Sequence, residues 1–243
     1  MSRALRVPVD RLSEGESLLS EAASRYVVKV HRRVPGQELR LFSAESGEFA
    51  DAVLVSDRLP RVCVKVSELQ VYRRSLPDVH LIQSVGKGDK PEQAVRAATV
   101  FNATHLHFAI SERSVARLAG KIRNERLAKV AVESARQCER FDLPRVFEPR
   151  PLGDILMDPD VPVGFLCAWA EDAQPLVEEL VRRERGSPLS FLVGPEGGLS
   201  NDEVIAARSK GWQPSSLGPN VLRTETAAEL VLGVASLIQN RVS

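Results

Sequence analysis

The sequence predicts an α/β protein in two parts: a small strand-rich domain over residues 1–75 that forms a barrel, and a larger domain over residues 76–243 on a mainly parallel sheet. Three observations predict it. Short apolar runs separated by turn formers fill the first 75 residues; strands alternate with helices beyond them; and two of the later strands end in glycine-bearing turns that open into helices.

In the front part the strand candidates are YVVKV (26–30), ELRLFSA (38–44), EFADAVLVS (48–56) and RVCVKVSEL (61–69), with a Pro35-Gly36 turn between the first two. Val62, Val64 and Val66 alternate with Arg61, Cys63 and Lys65, the period of a strand with one buried face. Arg73, Arg74, Pro77 and Asp78 then interrupt the apolar pattern, which places the boundary there. HLIQSV (80–85) and HLHFAI (105–110) read as strands, with a helix from Pro91 to residue 101 between them. A helix over 118–140 carries Arg123, Arg126, Lys129, Arg136 and Arg140 on a face that either meets a partner or is simply solvated. GFLCAWA (164–170) and LSFLVG (189–194) are compact apolar runs of the kind buried on both faces of a parallel sheet.

The chain's 243 residues, 43% hydrophobic and 27% charged, suffice for two modest cores and show no repeat or low-complexity segment. The longest apolar stretches, such as Val231 to Ile238, fall short of a bilayer span, and MSRALRVPVDR does not read as a secretory signal, so a cytoplasmic protein with no membrane partner is expected. Cys63, Cys138 and Cys167 are odd in number and far apart, which argues against a disulfide framework or structural zinc. Net charge is +1, but Lys plus Arg against Asp plus Glu stands at 26 to 19 over residues 1–150 and 7 to 13 over the rest. A basic front suits a polyanion partner, although a mixed solvated surface produces the same asymmetry.

Two loops carry the chemistry. In the first, Gly194-Pro195-Glu196-Gly197-Gly198 follows a buried strand, and Ser200 with Glu203 forms a capping box that starts the next helix. Glycines there let a ligand lie against bare backbone at the carboxyl end of a strand, where open α/β sheets place ligands. In the second, Leu217-Gly218-Pro219-Asn220-Val221-Leu222 leads into a helix whose apolar positions Ala227, Leu230, Val231, Val234, Leu237 and Ile238 keep the helical period. Arg223 at that helix start opposes the dipole, so it serves either an external partner or a salt bridge; Glu225 suits the dipole, and a threonine there is a candidate N-cap. Neither a P-loop nor a dinucleotide fingerprint occurs. His105 and His107 face one side of a strand but, with no third ligand visible, read as ordinary strand residues, and no metal is expected.

GPEGGLSNDE (194–203) and LGPNVLRTETA (217–227), near the carboxyl end, resemble the paired signature of the RsmE family, which methylates a uridine of 16S rRNA; Ser111-Glu112-Arg113-Ser114 agrees. The resemblance implies a SPOUT-type methyltransferase domain with a trefoil knot, a PUA-like RNA-binding barrel in front, a homodimer with active sites at the subunit interface, and the small ribosomal subunit as partner. S-adenosylmethionine would lie among the loop after Cys167, the loop Gly194 to Gly198 and the loop Leu217 to Leu222, largely on main chain, with Thr224 adjoining. A sulfonium methyl is already electrophilic, so no metal is required; the enzyme must align uracil N3 and manage its proton. Arg223 would supply a cation to the uracil carbonyls, and Glu225 would accept the proton or orient Arg223, with Glu196 a second candidate base. The chain departs from the family pattern at Ala97, Val100 and Asn102 and at Arg136 and Glu139, where the family has a lysine, a Glu-Leu-Gly turn, and an acidic-Gln-Cys-Gly-Arg segment. Arg3, Arg6, His31, Arg32, Arg33 and Arg113 are the expected RNA contacts, each also readable as a surface charge. Two rival readings remain: a non-catalytic RNA-binding or ribosome-assembly paralogue, and a SPOUT enzyme acting at another RNA position.

Overall fold

The computed structural model describes residues 4–43, 46–114, 124–167, 170, 172–184 and 186–239. The chain forms two compact units, Met1–Arg74 with Val132–Leu143, and Ser75–Ala131 with Pro144–Ser243.

The first unit is a six-stranded sheet of β1 (Leu5–Pro8), β2 (Gly15–Leu18), β3 (Glu38–Phe42), β4 (Glu48–Ser56), β5 (Cys63–Val66) and β6 (Gln70–Val71), ordered β1-β3-β4-β5-β2 with β6 on β4. Only β1 and β3 pair in parallel. The alternation in β4 sets its faces: Ala50, Ala52 and Leu54 are buried while Asp51, Val53 and Val55 are exposed. These residues join Val7, Leu39, Val62 and Val64 in one core. YVVKV at 26–30, expected as a strand, is instead a π-helical turn continuing α1 (Glu21–Arg25). The Ser20 side chain caps that helix by accepting from Ala23 N at 3.2 Å, and burial of Ala23 and Val27 on one face overrides the β-branched composition. Phe141, on the returning segment, stacks on Phe49 at 4.6 Å, and the Arg6 guanidinium lies over its ring at 4.2 Å.

The second unit is a parallel sheet. Its strands are β7 (Val79–Ser84), β8 (His105–Ile110), β9 (Arg145–Val146), β10 (Arg150–Pro151), β11 (Phe165–Cys167), β12 (Gln174–Pro175), β13 (Leu189–Val193) and β14 (Gln213–Ser216), ordered β10-β8-β7-β13-β11-β14-β12 with β9 on β8. Its helices are α2 (Lys90–Val100), α3 (Asn124–Cys138, whose second half belongs to the first unit), α4 (Leu152–Leu156), α5 (Leu176–Arg182), α6 (Asn201–Ser209) and α7 (Thr224–Gln239). Every residue of β7 and β13 is buried, as the compact apolar run LSFLVG implies for β13, while β7 buries His80, Gln83 and Ser84 as well. Ile82, Leu166 and Leu192 face α4 and α6 together with Ile155, Ala207 and Trp212. Each side chain so buried contributes roughly 1.5–3 kcal/mol. Leu81 and Gln83 point to the opposite face, where α2 and α7 pack together and the Gln83 amide meets the first residue of α7. Strand order reverses between β7 and β13, so the crevice above their carboxyl ends is the fold's natural ligand position. The basic helix expected over 118–140 is helical from Asn124; residues 118–123 lie outside the described residues. No helix among the described residues is long and apolar enough to cross a membrane.

Candidate active site at the carboxyl ends of β7 and β13

The turn after β13 is closed by Gly198 N donating to Pro195 O at 2.9 Å, with Pro195 buried and Glu196, Gly197 and Gly198 exposed. Gly198 has φ +70°, a left-handed conformation that side chains resist, and a Cβ on Gly194 would lie 3.2 Å from Leu199 Cγ and 3.3 Å from its backbone nitrogen. The loop then enters α6 through the complete capping box: Ser200 Oγ accepts from Glu203 N, and Glu203 Oε2 accepts from Ser200 N at 2.8 Å. Glu203 Oε1 also accepts from Glu112 N at 2.8 Å, tying the loop after β8 to the same helix start. Arg113 completes the tie by donating from Nη1 to Gly197 O at 2.9 Å. This arginine, expected as an RNA contact, holds the glycine loop.

The second loop meets the first. Thr224 is buried, and its hydroxyl donates to Gly194 O at 2.7 Å while accepting from Gln83 Nε2 at 2.6 Å. Arg223, whose carbonyl accepts from Ala227 N at 2.8 Å, occupies the N-cap position, leaving Thr224 to bridge inward rather than cap the helix. Gly218 has φ +117°, Leu217 and Leu222 are half-buried, and Val221 is 95% exposed. The Cys167 thiol, at the end of the neighbouring β11, is pushed up to about 12 by burial and so stays protonated.

A cation the sequence reading left out of the site organises its carboxylates. Lys90 Nζ lies 2.5 Å from Glu196 Oε1 and 3.1 Å from Glu225 Oε2, so the two acids expected as alternative bases share one ammonium. Its hydrogen bond to Lys90 holds Glu196 below the usual glutamate range. Burial works to raise Glu225, but its own backbone N–H, Lys90 and the charge of Arg223 outweigh burial and hold it low as well. Burial opposes the charge on Lys90, and the two carboxylates reverse that, raising it above an ordinary lysine. All three groups are therefore ionised at neutral pH. Lysine in the first turn of α2 opposes the helix dipole as Arg223 does at α7, and that was the available signal. The Arg223 side chain is exposed and makes no hydrogen bond or ion pair among the described residues. The cavity between Gln83, Lys90, Thr224 and Glu225 is about 10 Å³, so this cluster is a wall of the site and not the base pocket.

The remaining expected contacts are dispersed. The Arg6 guanidinium lies over the Phe141 ring and 3.8 Å from Glu139. His31 is exposed with its ring edge-on to Tyr26, Arg32 is exposed at φ 51°, and Arg33 is half-buried; Arg3 lies outside the described residues. Asn102 and Glu139, which stand where the family pattern has glycines, both keep positive φ, 62° each.

A parallel sheet whose reversal point carries two interlocked backbone-rich loops is built to hold a small ligand, and the model of the RNA methyltransferase domain family matches residues 74–236: the chain belongs to that family. Ribosomal RNA small subunit methyltransferase E of Aquifex aeolicus is 30% identical over 182 residues, covering 73% of this chain and 75% of that protein, and its namesake in Bacillus subtilis is 29% identical, covering 87% and 86%. The chain is a member of the ribosomal RNA small subunit methyltransferase E family, RsmE. The solved structure of that enzyme from Neisseria gonorrhoeae, bound to S-adenosyl methionine, shares the fold with TM-score 0.82 at 23% identity, over 97% of this chain and 98% of that one.

Proposed function

We propose that this protein transfers a methyl group from S-adenosylmethionine to N3 of a uridine in 16S rRNA of the small ribosomal subunit. The observation that carries this reading is the Thr224 hydroxyl bonded to Gly194 O, which seats the second glycine-bearing turn against the first at the sheet's reversal point. Family membership supplies the reaction class.

The loops suit the cofactor, because Gly197, Gly198 and Gly218 offer exposed backbone without side chains, and Gly194 lets the chain fold back on Leu199. Backbone groups of Gly194, Gly198, Leu217 and Leu222 would hold it, with Pro195, Glu196, Val221, Thr224 and the loop after Cys167 around it. When bound, it supplies a methyl group already activated as an electrophile. Arg223 is the cation for the charge that develops on the uracil carbonyls as the N3 proton leaves. Glu225 and Glu196, both held low beside Lys90, are weak proton acceptors, so positioning and the Arg223 charge carry more of the catalysis than base strength does.

In this reading residues 1–75 form a PUA-like RNA-binding barrel and residues 76–243 a SPOUT domain with a trefoil knot; His31, Arg32, Arg33 and Arg3 meet phosphates; two copies pair around the active sites; and the protein works in the cytoplasm, with its ribosomal substrate. The test is transfer of labelled methyl to small-subunit RNA, with mass spectrometry of the nucleosides and calorimetry with S-adenosylmethionine and its demethylated product. N3-methyluridine is expected. Absence of cofactor binding removes every enzymatic reading, binding without transfer selects a non-catalytic paralogue, and methyl on another atom selects a different RNA position.

A further inference from the structure

At the other end of the sheet from the glycine loops, the register of β7 and β8 sets His80 beside His105, with His107 opposite Ile82 on the same face. The His80 and His105 rings stack 4.1 Å apart, and His80 and His107 centroids are 5.4 Å apart. Asp78 precedes His80 by two residues. One carboxylate oxygen of Asp78 and one ring nitrogen each of His80 and His105 all lie within 4.8 Å of one another. A third and fourth polar group thus join the His105-His107 pair through strand pairing, which the sequence alone does not display.

We propose that Asp78, His80 and His105 form a binding site for a divalent transition-metal cation, zinc, at the amino-terminal rim of the larger unit's sheet, independent of the methyl-transfer reading. Two imidazoles and a carboxylate are a donor set for zinc rather than for magnesium or calcium, which take oxygen ligands. The surrounding hydrogen bonds are those of metal-ligating histidines, in which the second ring nitrogen is held by a neighbour. His105 Nδ1 lies 2.8 Å from Thr104 Oγ1, and that hydroxyl donates to Val79 O at 3.1 Å, so the imidazole is the donor at Nδ1 and its lone pair sits on Nε2. His80 Nδ1 lies 3.2 Å from His107 Nε2, so with a cation on His80 Nε2 the Nδ1–H would donate to His107 Nε2. Bonds of about 2 Å to a tetrahedral zinc bring ligand atoms to roughly 3.3 Å from one another, so the group must contract. His80 is fixed in the interior, and the exposed Asp78 carboxylate and half-buried His105 ring are the parts able to turn inward, opening the ring stack as they do. The cation would clip the starts of β7 and β8, with Asp78 giving it an approach from solvent.

The test uses tag-free, metal-stripped full-length protein titrated with zinc chloride against a chromophoric chelator near neutral pH. One equivalent per chain is expected, weakened at least about tenfold by Asp78→Asn and by His105→Ala. His31→Ala, at the histidine outside this strand pair, should bind as the parent does. Cobalt(II) in the same site should give ligand-field bands without thiolate charge transfer, and zinc should raise Tm of the parent but not of Asp78→Asn. Asp78 is exposed, so its variant decides the matter even if His105→Ala folds poorly. Failure to bind zinc, affinity unchanged in Asp78→Asn, or a thiolate spectrum overturns the proposal.

Discussion

Gln83 and Thr224, 141 residues apart, are joined by a 2.6 Å hydrogen bond in the buried floor of the site, and Thr224 passes the chain of bonds on to Gly194 O. One hydroxyl therefore couples the end of β7, the start of α7 and the glycine loop. Replacing it by an isosteric methyl leaves a buried amide and a carbonyl without their partner, which costs about 1–3 kcal/mol. Thr224→Val should lower the unfolding free energy from urea denaturation by that amount and weaken S-adenosylmethionine binding in calorimetry. Thr224→Ser, which keeps the hydroxyl, should restore most of both; equal losses in the two variants would show that the hydroxyl is not the coupling element.

The Lys90 cluster predicts a pH dependence. Glu196 and Glu225 are held below their ordinary value, so their contribution to stability is present above about pH 4.5 and is lost as pH falls through the depressed folded values. Lys90 is raised, so its contribution is present below the ordinary lysine value and is lost only as pH rises through the higher folded one. Denaturation midpoints should stay flat through neutrality on this account and fall in acid. Lys90→Met keeps the stem and removes the charge, leaving two carboxylates facing each other. Stability at neutral pH should then drop and recover in part on acidification, the opposite slope to the parent; an unchanged acid limb would exclude the ion cluster as its source.

Glu139 holds a left-handed backbone, φ 62°, where the family pattern has glycine. That conformation costs a residue with a Cβ about 1–2 kcal/mol, and glycine forfeits about 0.5–1 kcal/mol in chain entropy, so Glu139→Gly should stabilise by up to about 1 kcal/mol. The 3.8 Å pair with Arg6 is long for an ion pair and worth little by itself. Asn102 has the same φ, and asparagine tolerates it, so Asn102→Gly should change Tm much less. A lowered Tm for Glu139→Gly would mean that its side chain, not its backbone, is what the turn requires.

These two positions also mark what the sequence could and could not convey. β4, β8 and the capping box at Ser200 are found where periodicity and residue type put them, because both signals are local. YVVKV was misread because its β-branched composition is the same in a strand and in a turn held by the Ser20 cap. The glycine loops were visible as ligand-bearing turns, yet their contact depends on Thr224 pointing inward, and the Lys90-Glu196 pair spans 106 residues. The partners of Arg6 and Arg113 are not legible in sequence, because nothing in the spacing places Phe141 under one or Gly197 O beside the other.

Arg113 supports the glycine loop through one hydrogen bond, so its removal should act on the cofactor and not on chemistry. Arg113→Ala is expected to raise KM for S-adenosylmethionine several-fold with kcat nearly kept, a uniform-binding signature. A lost RNA affinity at unchanged cofactor KM would return Arg113 to the role of phosphate contact.

Arg223 should show the reverse pattern. Its side chain is exposed beside Glu225 and makes no hydrogen bond among the described residues, so its truncation disturbs little of the fold, and stability should be unchanged within about 0.5 kcal/mol. If its charge stabilises the uracil oxyanion as N3 is deprotonated, Arg223→Ala should lower kcat on the order of a hundredfold while the cofactor dissociation constant holds. Because the developing charge is met by electrostatics, the deficit should shrink as pH rises and more uracil ionises in solution, whereas a lost positioning contact would give a deficit independent of pH. Arg223→Lys should recover part of the rate, since a point charge replaces a planar fork. Methyl transfer by Arg223→Ala at the parent's rate would remove this residue from the mechanism and leave the ionised pair at Lys90 as the remaining candidate.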